Sequence, residues 1–459
     1  MIYINMSSKV DLIYSGLMEE FLSTDPDMSH FLYRFNQHTP FSFDTQEMLF
    51  SGDIGYGKTI KSEISNSGDF LTNIGIELNI SIPLGAQELP SQNGFIHHFE
   101  RIELYIGNKL IESLSSENIY YQHMKNMSIA DKRSASLISG IDTEYNERNR
   151  VTFDHSGSNI IIGYIDLPFY FYQNLGKSIP ICKLSKQNVS VVVKLRDYKN
   201  LNLNINDVVE NDPKRVITYA SLHVDYGYCT EDERSFFLNN TVEHVITQEQ
   251  KVSIDTNAMH KEHNIYLPFY GPVSYIYFYI ENQLQTNDVD AGRYNSPMFL
   301  NKIKRAKLKF NNTVVFDENE LFFINQNLKY NEGIYSEILS TDKGGASPQA
   351  SFFPYTLRID TTGIDSGFIY PYHFGFKHIK SHTGSVNMSR IIDKILTIEL
   401  DNNQFTEFKF AQSNFIKSEQ VIFGRKLPND STSKLKINVH AINYNIITFR
   451  DGICGLKYS

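Results

Sequence analysis

Tryptophan is absent from this chain, cysteine occurs only three times, and no run of lysine and arginine appears anywhere in it. The three thiols, Cys182, Cys229 and Cys454, are odd in number and widely separated, without metal-type spacing. That excludes a disulfide framework or a zinc site and fits a reducing compartment. The missing basic run, together with a net charge of −9, argues against direct contact with nucleic acid, since phosphate neutralisation supplies most of such affinity. Long apolar runs are missing too. IIIGYIDLPFYFY (160–172) is broken by Asp166 and Pro168 and is too short to cross a bilayer. The opening MIYINMSSKVDLIY carries Lys9 and Asp11 where a signal peptide needs an apolar core, so a soluble chain made in the cytosol is expected.

What is present points to β-structure. The length of 459 residues sets a prior of two domains, and 32 Phe and 28 Tyr provide apolar mass for two cores. IGIELNISIP (74–83) and RIELYIG (101–107) alternate apolar and polar residues. VSVVVKL (189–195), YIYFYIE (275–281), KILTIEL (394–400) and LKINVHAINYNIITF (435–449) are β-branched or aromatic runs bounded by turn formers. Helical periodicity is confined to TEDERSFFLNN (230–240), with acids in its first turn and Thr230 placed to cap it. Many strands and few helices indicate sandwiches or barrels.

A faint internal repeat organises the chain. RIELYIGNKLIESLSSENIYY (101–121) is echoed by RAKLKFNNTVVFDENELFF (305–323), matching Leu104 to Leu308. FYFYQNLGKSIPICKLSKQNVSVVVKL (169–195) is echoed by FGFKHIKSHTGSVNMSRIIDKILTIEL (374–400), matching Phe171 to Phe376. LHVDYGY (222–228) is echoed by HAINYNI (440–446), matching Tyr226 to Tyr444. Three echoes in one order at nearly one offset imply two copies of a single all-β domain joined through 230–240. Eight strands in two four-stranded sheets, a jelly roll, fit each copy.

Several motifs invite a chemical reading. Gly52-Asp-Ile-Gly-Tyr-Gly57-Lys58-Thr59 satisfies the phosphate-loop pattern, in which backbone amides and the lysine cradle phosphates. Such a loop must open a helix, whereas TIKSEISNSGDF (59–70) alternates and reaches Gly68 quickly, so a turn between two strands is expected. His260 and His263 are three apart but precede a strand-like segment, and His97 and His98 would point to opposite faces of a strand. The sequons at Asn188, Asn239, Asn311 and Asn387 are read as chance tripeptides. No catalytic, cofactor or metal residue is assigned, and no enzyme is expected.

From the first domain onward the chain resembles the major capsid proteins of nucleocytoplasmic large DNA viruses. The segments that carry the resemblance occur in order. They are STDPDMSHFLYRFNQHTPFSFD (23–44), SGDIGYGKTIKSEISNSGDFLTNIGIELNI (51–80), RIELYIGNKLIE (101–112) and LPFYFYQNLGKSIPICKLSKQNVSVVV (167–193), followed by HVDYGYCTEDERSFF (223–237), SHTGSVNMSRIID (381–393) and AINYNIITFRDGICGLKYS (441–459). Departures are Ser381-His382-Thr383 before Gly384, where the family has Pro-Ser, and Lys177-Ser178, where it has small apolar residues.

The resemblance implies a double jelly roll, all-β with a few short helices in loops. An N-terminal arm would occupy 1–27, the first roll 28–229, a linker helix 230–240 and the second roll 241–459. It further implies a structural virion protein, made and assembled in the host cytoplasm, whose homotrimeric, pseudo-hexagonal capsomers tile an icosahedral shell. Its partners would be itself, minor capsid and penton proteins, and the internal viral membrane through the arm. Alternatives are a paralogous minor capsid or membrane-shaping scaffold protein, a phosphate-loop ATPase and a carbohydrate-binding jelly roll.

Overall fold

Strands dominate because side chains alternate between a wet and a dry face. TIKSEI (59–64) buries Ile60, Ser62 and Ile64 while exposing Thr59, Lys61 and Glu63. VSVVVKL (189–195) turns Val189, Val191, Val193 and Leu195 fully inward. A computed structural model describes residues 25, 31, 37–83, 96, 98–126, 151–153, 158–172, 174–197, 216–257, 260–283, 303–323, 369–375, 383–400 and 434–458. The chain forms two compact units, Met1–Pro40 and Phe41–Ser459, so all the strands below belong to one unit.

The first half runs β1 (Phe41–Leu49), β2 (Thr59–Ile64), β3 (Phe70–Pro83), β4 (Phe99–Ile106) and β5 (Lys109–Ser115), then helix α1 (Ser116–Asn126). It continues with β6 (Val151–Phe153), β7 (Ser158–Asp166), β8 (Ile179–Pro180), β9 (Val189–Leu195) and β10 (Val216–Cys229). After helix α2 (Glu231–Asn239) come β11 (Val242–Asn257), β12 (Glu262–Tyr266), β13 (Pro272–Gln283), β14 (Ile303–Phe310) and β15 (Thr313–Asn319). The second half closes with β16 (Tyr370–His373), β17 (Val386–Asn387), β18 (Lys394–Leu400), β19 (Lys434–Arg450) and β20 (Ile453–Leu456).

One sheet of the first roll has the order β1-β10-β3-β7-β6, with β8 added on β3, and the other has β2-β9-β4-β5. The second roll has β11-β19-β13-β16, with β17 on β13 and β20 on β19, and β12-β18-β14-β15. Exchanging β1, β2, β3, β4, β5, β7, β9 and β10 for β11, β12, β13, β14, β15, β16, β18 and β19 converts one pair of sheets into the other. Each half is therefore an eight-stranded jelly roll, with β6, β8, β17 and β20 added to the ideal pattern.

The repeat extends to register. Leu104 pairs with Glu112 and Leu308 with Phe316, and a one-residue irregularity follows each pair. Both hairpins close through two residues, with Gly107 at φ +62° in the first and Asn311 and Asn312 at +45° and +68° in the second. The third echo is one residue out of step. Tyr226 pairs with Leu71, whose neighbour on β8 is Ile179, and the residue in the same position of the second roll is Asn443, which pairs with Val273 beside Val386 on β17. Tyr226 thus corresponds to Asn443, not Tyr444: both ladders skip one residue at the same place, Thr72 in β3 and Ser274 in β13, so the rolls stay in step and the tyrosine match is off by one. Phe376, from the second echo, lies outside the described residues.

Two apolar cores result. The second roll's core lies between its sheets, with Leu308, Leu396, Ile398, Ile437 and Phe278 at its centre. The core of the first roll is not made by the first half alone. Tyr275, Tyr277, Ile442, Ile447 and Phe449 belong to it and come from the second half.

Candidate functional site at the junction of the two rolls

The glycine-rich motif is a turn. Gly52 and Gly57 have φ of +111° and +72°, and Thr59 opens strand β2. Lys58 is exposed and lies 3.7 Å from Asp53, while the Gly57 N–H donates to Arg196 O at 3.1 Å. The motif therefore opens a strand, where a phosphate loop opens a helix. His263 sits in β12 with Nδ1 2.9 Å from Thr256 Oγ1, and His260 lies beside it with ring centroids 6.3 Å apart. His98 is buried near Tyr56, and His97 lies outside the described residues. Among the described residues no three His, Cys, Asp or Glu side chains gather as metal ligands. The cysteines are free thiols, and burial pushes Cys454 up to about 12. Asn311 spends its side chain on the fold, its Oδ1 accepting from the Ile392 and Asp393 N–H groups.

The concentration of buried polar chemistry lies instead where the rolls meet. β5 ends at Ser115 and α1 begins at once, with Ser115 Oγ accepting from the Asn118 N–H at 3.2 Å as a helix cap. This start carries Glu117, Asn118 and Tyr121 onto the outer face of the β11-β19-β13 sheet. Glu249 of β11 accepts from Ser115 N (3.1 Å), Ser115 Oγ (2.8 Å), Asn118 Nδ2 (3.2 Å) and, by a short bond, His440 Nδ1. Glu117 is held by Arg196 at 3.1 Å and Lys251 at 3.6 Å. Two carboxylates and two cations thus balance, which is what lets charged groups stay buried. Aromatic rings continue the contact. Tyr121 stacks on Tyr277 with centroids 4.4 Å apart, Tyr277 stacks on His440 at 4.6 Å, and Gln122 Nε2 donates to Tyr275 Oη at 3.1 Å.

Burial acts on each ionisable member. It would raise Glu117, but Lys251, Arg196 and His440 outweigh it and hold that carboxyl well below its usual range. It would likewise raise Glu249, and the His440 bond with the Ser115 amide reverses the sign. His440 is driven down by burial, against the Glu249 bond that pulls it up. Glu112, on β5 nearby, has no cation of comparable strength. Burial lifts it to about 8, while the Tyr170 N–H at 2.9 Å pulls the other way.

A second clasp comes from the tail. The β19–β20 turn at Asp451-Gly452 (φ +53° and +83°) reaches the 185–187 loop of the first roll. There Lys186 N donates to Gly452 O at 3.1 Å, Lys186 Nζ to Asp451 O at 3.0 Å, and Cys454 N to Gln187 Oε1 at 2.7 Å. A Cβ on Gly452 would stand 2.4 Å from Ser185 Oγ, so glycine is required there. None of Glu117, Glu249, His440 and Lys251 was singled out from the sequence. Only the Asp-Gly pair ahead of β20 carried a readable signal.

The site is therefore a structural junction, held by packing and buried polar contacts, within a double jelly roll. Residues 29–230 match the family model described as the N-terminus of the major capsid protein. The major capsid protein of Pyramimonas orientalis virus is 23% identical over 456 residues, covering 98% of both chains. That of Paramecium bursaria Chlorella virus 1 is 21% identical over 472 residues, again with 98% of each covered. Capsid protein 1 of Acanthamoeba polyphaga mimivirus is 23% identical over 285 residues, and there the match spans 48% of the relative's length. In three dimensions the capsid structure of the Chlorella virus superposes with a TM-score of 0.63 over 94% of this chain, at 19% identity. The Faustovirus major capsid protein does so with 0.61 over 97%, at 9% identity, which establishes the shared fold. Along nearly its whole length the chain is thus similar to the major capsid proteins of large DNA viruses, which are structural proteins.

Proposed function

We propose that this chain is the principal shell subunit of a large DNA virus, three copies forming a capsomer of hexagonal outline that tiles an icosahedral capsid. The observation that carries the proposal is the repeated strand order, β1-β10-β3-β7 against β11-β19-β13-β16 and β2-β9-β4-β5 against β12-β18-β14-β15. Three copies of a chain with two like rolls put six similar bodies around a three-fold axis. We assign 28–229 and 241–459 as the two rolls, 230–240 as the linker, and 1–27 as an arm toward minor capsid proteins, penton proteins and the internal membrane. Synthesis and assembly would take place in the host cytoplasm, and a net charge of −9 suits a shell that leaves the genome to other proteins.

The test is the solution mass of the purified chain with negative-stain imaging. Particles of three 52.9 kDa chains with a hexagonal outline are expected. A persistent monomer would overturn the capsomer. Its copy number in purified virions separates a principal subunit from a minor or scaffolding paralogue, because the principal subunit dominates the protein content and a scaffold is missing.

A further inference from the structure

Tyr170 ties the first roll to the second at a place apart from the Glu249 cluster. Its N–H donates at 2.9 Å to Oε2 of Glu112 on β5, the only hydrogen bond the Glu112 side chain makes among the described residues. Its ring stands 6.2 Å from that of His244 on β11, and His244 meets Phe449 of β19 edge to face at 5.5 Å. Its hydroxyl end lies within electrostatic reach of Cys454 on β20. One residue of the first roll thus connects β5 with three strands of the second half, the tail included.

This joint is closed but poorly satisfied. Glu112, Cys454, Tyr170 and His244 are 4%, 6%, 7% and 9% exposed. Tyr170 Oη and His244 Nδ1 are nevertheless without a hydrogen-bond partner. Buried polar atoms left in that state are destabilising, so water entering here gains bonds that the closed joint lacks.

Nor does any cation close on Glu112 among the described residues. Lys177, half-buried at the end of the short turn Leu175–Lys177, acts on it through space with no hydrogen bond between them. Glu249 of β11 repels a second negative charge, while Arg196 and Lys251 are engaged with Glu117 of α1. On the paired strand β4, Arg101 is closed on Glu103 at 2.9 Å, and Lys109 of β5 itself is exposed. Burial pushes His244 down to about 4, so it brings no positive charge near neutral pH. A carboxylate in such surroundings is costly, and the closed joint keeps Glu112 as the neutral acid.

We propose that the Glu112 proton operates this joint: with the proton in place Tyr170 seats β11 and the tail against β5, and its loss admits water and frees the tail while both rolls stay folded. Linkage gives the response a definite shape. Opening hydrates Glu112 and returns its carboxyl toward 4.5, whereas the closed joint holds it at about 8. Opening therefore releases a proton between those values. The open fraction rises there by up to about tenfold per pH unit and levels off above about 8.

Cys454 reports the opening, because it is buried while the joint is closed. In a chain carrying Cys182→Ser and Cys229→Ser, the rate of Cys454 alkylation by iodoacetamide is measured from pH 6 to 9. Dividing it by the rate for the same chain with Glu112→Gln, which stands for the permanently protonated acid, cancels the titration of the thiol itself. The ratio is expected to climb steeply to about pH 8 and then flatten, with no response to mild urea. Lys177→Met should move the plateau to higher pH, since that cation holds Glu112 down. A ratio flat across the range would overturn the proposal. So would alkylation that accelerates in mild urea as global unfolding does, because Cys454 would then be reached only when the whole chain opens. Lys177→Met is compared with its parent directly, so a profile it leaves unmoved would overturn the assignment to Glu112 whether or not Glu112→Gln folds.

Discussion

Glu112 lies on β5 with 4% of its surface exposed and its carboxyl lifted to about 8 from an ordinary 4.5. The folded chain therefore keeps a proton that the unfolded chain releases, and linkage fixes the sign. The stabilising contribution is complete below about 4.5 and is lost as pH rises through about 8. Melting temperature should fall between pH 5 and 9, and Glu112→Gln should flatten that slope. A parallel decline in both proteins would show that other groups set it. Gly107 makes a different demand. It turns the β4–β5 hairpin at φ +62°, and a Cβ there would stand 3.1 Å from the Gln187 side chain that also receives the tail. Gly107→Val should cost about 1 kcal/mol or more, since β-branched residues tolerate positive φ poorly. In the second roll Asn312 holds φ +68° at the equivalent turn, so Asn312→Gly should raise stability by a few tenths to about 1 kcal/mol. Chemical denaturation of the two variants checks both signs.

Among the elements, α2 shows how far the sequence could be read. Its span, Glu231–Asn239, and its acidic first turn were legible in TEDERSFFLNN. Thr230 does occupy the cap position, but its hydroxyl makes no cap bond. The end of the helix is instead satisfied by Lys183, whose ammonium donates to Phe237 O at 2.7 Å, Leu238 O at 3.1 Å and, by a short bond, Asn240 O. A lysine more than forty residues upstream leaves no local pattern, so this partner was invisible. Lys183→Met should cost about 1.5–3 kcal/mol through three orphaned carbonyls, with helix loss visible by circular dichroism. The strands were legible because their alternation is local, as in TIKSEI and VSVVVKL. Helix α1 was missed: its span, SENIYYQHMKN, reads as the acidic-aromatic end of a repeat, and only Ser115 ahead of Glu117 hints at a cap.

For the whole molecule, two rolls were legible and their junction was not. Glu249 sits in the polar run Gln248-Glu249-Gln250-Lys251 and His440 between Val439 and Ala441, as residues of a solvated face would, so nothing local marks Glu249 and His440 as buried. Only the arrival of α1 from the first roll makes them so. Glu249→Ala would strip an acceptor from Ser115, Asn118 and His440 and unbalance Glu117, Arg196 and Lys251. A loss of about 3–5 kcal/mol is expected for such a broken buried pair. Calorimetry should show the single transition of the parent splitting into two, as each roll melts alone. A single unsplit transition would show that the aromatic stack and the tail suffice to couple them.

The tail that clasps the 185–187 loop also sets a timetable. Ile447, Phe449 and Cys454 belong to the core of the first roll, yet they are translated about two hundred residues after its last strand, β10. At ribosomal speeds of about 5–20 residues per second, the first roll must wait roughly 10–40 s, already threaded and paired, for the side chains that finish it. Each newly made subunit thus passes through an interval in which its apolar surface is open to any neighbour, and crowded synthesis of a protein needed in great number makes that interval the point at which a chaperone would matter most.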